Sequence, residues 1–76
     1  MSYHQLYIEE MLPGDIFIRA GDRVCLLVSR GLLRPVSAWS GLGCELLYVC
    51  GGRVIVVVVP ASWRLRVLCR GDFHGD

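Results

Sequence analysis

The sequence predicts a small all-β domain, and three features carry that prediction. Arg53-Val54-Ile55-Val56-Val57-Val58-Val59-Pro60 is an unbroken β-branched run between Gly51-Gly52 and a proline. Gly51-Gly52 itself is a two-residue hairpin signal between two such runs. Trp63 to Arg70 alternates apolar and cationic side chains, the period of a half-buried strand.

The elements follow in order. Residues 1–12 form an N-terminal arm or a short helix, with Ser2 as a possible N-cap but too little length for a helix to stand undocked. Leu12-Pro13-Gly14-Asp15 is turn chemistry, and Asp15 is expected to fix that turn. Ile16 to Ile18 is a first short strand, and Gly21-Asp22 turns the chain into a second, Arg23 to Ser29. Gly31 to Gly43, with three glycines, Pro35 and Trp39, reads as a long loop. Glu45 to Cys50 and Arg53 to Val59 are strands three and four. Their glycine turn sets Cys50 opposite Arg53, Tyr48 opposite Ile55 and Leu46 opposite Val57. Glu45 marks the other face as outward, so Leu46, Tyr48, Ile55 and Val57 are assigned to the core. Pro60-Ala61-Ser62 is a tight turn before the fifth strand, Trp63 to Arg70. There Trp63, Leu65, Val67 and Cys69 point one way and Arg64, Arg66 and Arg70 the other, with Leu68 breaking the stripe, and residues 71–76 are a polar tail. The 76 residues hold a single small domain, a five-stranded barrel.

That arrangement resembles the SH3-like barrel from Gly14 to Cys69, through the Gly51-Gly52 hairpin and the turn Pro60-Ala61-Ser62-Trp63. In peptide-binding SH3 domains a proline and an aromatic at the positions of Pro60 and Trp63 line the ligand groove. The resemblance therefore implies the same for these two, although the Ala-Leu-Tyr-type motif and paired tryptophans of those domains have no counterpart. Pro13-Gly14-Asp15-Ile16 and Arg23-Val24-Cys25-Leu26-Leu27-Val28-Ser29 are also similar to the first two strands of the MazF/PemK toxin ribonucleases. The arginine-proline pair and the threonine of that family are absent, so this likeness implies its barrel and not its nuclease activity.

Composition narrows the function. Hydrophobic residues make up 54% and charged residues 20%, which excludes a disordered chain. All eight cationic side chains are arginine, but seven carboxylates leave a net charge of only +1, without a polyelectrolyte signature. Neither a signal peptide nor a run long enough to span a bilayer is visible, so a cytoplasmic protein with no membrane role is expected. Cys25, Cys44, Cys50 and Cys69 contain no Cys-x-x-Cys pair and read as reduced core thiols, with neither a metal nor a cofactor expected. His4 and His74 have no orienting partner, and Glu9-Glu10 reads as a solvated face, so no catalytic residue is assigned.

The central strand is apolar on both faces, and one small core can bury only one of them. Leu47, Val49, Val54, Val56 and Val58, with Trp39 from the loop, are thus the candidate partner-binding residues. The expected function is a non-catalytic protein–protein interaction module, working as a homo-oligomer or as a subunit of an assembly. It is of the size and style of viral or phage accessory and structural proteins, and would act in the host cytoplasm or the virion. Arg64, Arg66 and Arg70 on one strand face are expected to guard an edge strand by their charge. A second functional reading is a nucleic-acid-binding barrel that uses these three, extended by Arg30 and Arg34. A third is a small-ligand (nucleotide) site at an oligomer interface.

Overall fold

The computed structural model describes residues 4–38 and 41–71. The chain is all-β and forms one curled antiparallel sheet, a half-barrel. Among the described residues the strands number seven rather than the expected five: β1 (His4–Tyr7), β2 (Ile16–Arg19), β3 (Arg23–Arg30), β4 (Arg34–Pro35), β5 (Leu42–Cys50), β6 (Arg53–Pro60) and β7 (Arg64–Cys69). They lie in the order β1-β7-β2-β3-β5-β6, with the two-residue β4 beside β5.

The β5–β6 hairpin has the register that its glycines dictate. Gly51 and Gly52 both take positive φ, 59° and 79°, and Cys50↔Arg53, Tyr48↔Ile55 and Leu46↔Val57 are opposed. The N-terminal segment takes the extended alternative, a strand followed by a 3₁₀ turn, Ile8–Glu10, because the edge of β7 is free to pair with it (Leu6↔Leu65, Tyr7↔Arg64). Two expectations are corrected. The loop after β3 is interrupted by β4, and β5 begins at Leu42 rather than Glu45. Finally, β7 is not an edge strand; β1 covers it, so its arginines do not guard a sheet edge.

The core lies in the hollow of the sheet. Phe17, Cys25, Leu27, Cys44, Leu46, Tyr48, Val59, Leu65 and Val67 are buried there, with Ile8 and Met11 from the N-terminal segment. Leu6, Ile55 and Val57 pack against them half-buried. Phe17 meets Tyr48 edge to face at 5.3 Å between ring centres. Cys25, Cys44 and Cys50 are buried thiols, as expected, but Cys69 is exposed. A bulge between Ile16 and Phe17 shifts the β2–β7 register near Cys69, and the alternation read from the sequence does not reach it.

The buried Asp15 fastens the two ends of the chain together. Its carboxylate is fully enclosed and accepts hydrogen bonds from the Leu12 N–H (2.9 Å), the Gly71 N–H (2.6 Å) and Arg70 Nε (3.2 Å). Arg70 also donates to the Glu10 carbonyl at 3.1 Å. Asp15 therefore does fix its turn, and in addition it neutralises a cation that arrives from 55 residues away. No helix among the described residues is long and apolar enough to cross a membrane.

Candidate functional site: an apolar outer face

The convex side of β3, β5 and β6 is aliphatic. On β5 and β6 the outward pairs are Val49↔Val54, Leu47↔Val56 and Glu45↔Val58. Leu26 of β3 lies opposite Val49 and adds a third strand to this row. Val24 and Val28 extend it along β3, where a bulge between Leu27 and Ser29 keeps Val28 at the surface. Val24, Leu26, Val28, Val54, Val56 and Val58 are 40–70% exposed, which leaves an apolar area on the order of 500 Å² open to water. Leu47 and Val49 are half-buried because β5 is the central strand and its neighbours shade them.

The face runs to an open edge. Among the described residues β6 pairs only with β5. In a two-residue hairpin the pair flanking the turn exchanges hydrogen bonds, and the bonded pairs then alternate. That alternation turns the backbone N–H and C=O of Val54, Val56 and Val58 toward the free edge. The same three residues thus offer apolar side chains and unpaired backbone groups, the combination natural edge strands usually avoid.

Five of the six residues expected to bind a partner, Leu47, Val49, Val54, Val56 and Val58, therefore lie together on this face. The sixth, Trp39, lies outside the described residues. Val24, Leu26 and Val28 were missed, since their outward alternation joins the face only through the β3–β5 pairing, which no local signal announces.

The arginines assigned to the nucleic-acid reading do not form one surface. Arg64 and Arg66 do project outward from β7; Arg64 lies over the Tyr7 ring at 5.5 Å, and Arg66 is 3.6 Å from Asp22. Arg70 follows the strand and is held by Asp15, which removes it from the stripe. Arg30 turns back to the Met11 and Gly31 carbonyls, at 3.1 and 3.2 Å, so it serves the fold. Arg34 is exposed on β4, away from β7 in the strand order.

A groove of about 610 Å³ opens beside Pro60, lined by Tyr7, Leu42, Ala61 and Ser62 among others. Trp63 is not part of its lining, although its N–H donates to the Pro60 carbonyl at 3.1 Å. Among the described residues no cluster of three or more His, Cys, Asp or Glu side chains is placed to hold a metal ion. Burial raises the thiol pKa of Cys44, and that of Cys25 is pushed up to about 11 by burial and by the neighbouring Cys50. Both stay protonated near neutrality, which makes them poor nucleophiles. Comparison with protein-family models, curated proteins and solved structures finds no match to this chain.

Proposed function

We propose that this chain is a non-catalytic association module, an SH3-like small barrel that works by holding its apolar outer face against another protein surface. The strand order β7-β2-β3-β5-β6, with a tight hairpin and a short proline turn, supports the SH3-like reading. The observation that carries the function is the exposed aliphatic row Leu26-Val49-Val54 and its neighbours, running to the open β6 edge. Burying one valine contributes on the order of 1.5 kcal/mol. Two such faces together bury about 1,000 Å², the lower bound for a specific interface. In the absence of another partner, a second copy therefore covers the face. This is the work of a structural or accessory subunit.

The test is Val56→Asp, which places a carboxylate at the centre of the face without touching the core. Its circular dichroism spectrum should match that of the wild-type protein, and it should lose the ability to cross-link to a second copy. Cross-linking equal to wild type would refute the assignment.

A further inference from the structure

At the open end of the half-barrel, on the concave side and separate from the apolar face, Arg19 and Arg23 line one cavity, and Arg53 lies opposite Cys50 of its lining. Arg19 ends β2 and Arg23 begins β3, directly opposite each other; Arg53 begins β6 opposite Cys50. The strand alternation that turns Phe17, Cys25, Leu27, Tyr48 and Cys50 into the hollow gives all three arginines the same inward parity. Like charges placed directly across a strand pair repel, so this arrangement costs stability unless an anion joins it. Asp22, the carboxylate in the adjoining turn, is directed to Arg66 instead. None of the three arginines has a salt bridge among the described residues.

Arg19 is held in place by its neighbours. Its guanidinium carbon sits 5.7 Å from the centre of the Tyr48 ring and 5.9 Å from that of Trp63, spanning the mouth between β5 and β7. One of its terminal nitrogens is buried and has no hydrogen-bond partner among the described residues. An orphaned guanidinium nitrogen costs free energy that a ligand oxygen would recover. Beside it is a cavity of about 200 Å³ lined by Arg19, Ala20, Arg23, Cys25, Tyr48, Cys50 and Ile55; Arg53 is outside this lining, on the strand position opposite Cys50.

We propose that this cup binds a single phosphate group, held by Arg19 from within and Arg23 at the rim, with Arg53 reaching in from its place opposite Cys50. Forked cationic donors facing one cavity suit an anion with several acceptor oxygens, which a phosphate has and a lone carboxylate does not. The volume is below the roughly 300–1,000 Å³ of pockets that enclose drug-sized ligands, so the cup takes the phosphate and leaves any attached group outside. The floor does not oppose an anion, because burial keeps the Cys25 thiol neutral.

The experiment is an NMR titration of the ¹⁵N-labelled protein at constant ionic strength, with inorganic phosphate in one arm and glycerol phosphate in the other. At least one should give saturable shifts in the amides of residues 19–25 and 50–55, and the tighter arm tells whether the source is free or esterified phosphate. Arg23→Gln and Arg53→Gln lie at the exposed rim, and their unliganded spectra should show an intact fold. Each should weaken binding about tenfold, as expected when a charge-assisted hydrogen bond is lost. Absence of a saturable response to either anion, or equal affinity in the double variant, overturns the proposal. Its failure would leave the outer apolar face unaffected.

Discussion

The outer surface of the sheet divides into two halves that obey the same alternation and end differently. On β3, β5 and β6 the outward positions are Val24, Leu26, Val28, Leu47, Val49, Val54, Val56 and Val58, relieved only by Glu45 and Ser29. On β1 and β7 they are Gln5, Tyr7, Arg64, Arg66 and the half-buried Leu68. Both halves bury the same kind of inward residue, so the core does not require the difference. Gln5, Arg64 and Arg66 show what an outward face looks like when water covers it. The aliphatic half lacks that chemistry, and its contrast with β7 is the reason for reading it as a contact surface rather than as general hydrophobicity.

The sharpest break should come from moving one position along β6, from the outer to the inner face. Val57→Asp puts a carboxylate among Leu46, Ile55 and Val59, at a cost of several kcal/mol, which exhausts the stability of a domain this small. It should be unfolded by circular dichroism, and a folded Val57→Asp would mean that the inner and outer faces are exchanged. Next in size is Asp15→Ala, which strands Arg70 and two backbone N–H groups where the polar half is tied to the chain ends. It should cost about 2–3 kcal/mol in urea denaturation, because two part-buried N–H groups lose their acceptor while Arg70, 39% exposed, can turn to water. The smallest effect belongs to the polar half itself. Arg64→Ser and Arg66→Ser should each stay within about 0.5 kcal/mol of wild type in the same assay, because exposed pairs contribute little. A large loss there would erase the distinction between the halves.

How much of this was legible in the sequence follows from how local each determinant is. The β5–β6 register was readable because Gly51-Gly52 fixes it within four residues, and Glu45 then assigned the faces. The five candidate partner-binding residues that lie on the outer face follow from that hairpin alone. The third strand of the site was not readable, because Leu26 meets Val49 across 23 positions of sequence. Neither was β1, a four-residue segment that becomes a strand only against β7. Cys69 was misplaced because a bulge in the β2–β7 pairing, where Cys69 meets Ile16, interrupts the period. Arg70 was counted with Arg64 and Arg66 because spacing cannot reveal that Asp15 claims it. The arginine cup has the same origin: Arg19 and Arg23 come to face one cavity, with Arg53 opposite its Cys50, only when the hairpin and the β2–β3 turn are brought to one end.

The central claim is that the aliphatic half is a contact surface and not merely tolerated exposure. Sedimentation velocity of the wild-type chain and of Val56→Asp, each over a micromolar concentration series, tests it most directly. The account predicts that the wild type sediments as a species of at least twice the 8.5 kDa chain mass, while Val56→Asp stays a folded monomer. A wild-type chain that remains a monodisperse 8.5 kDa monomer throughout the series, indistinguishable from Val56→Asp, would contradict it.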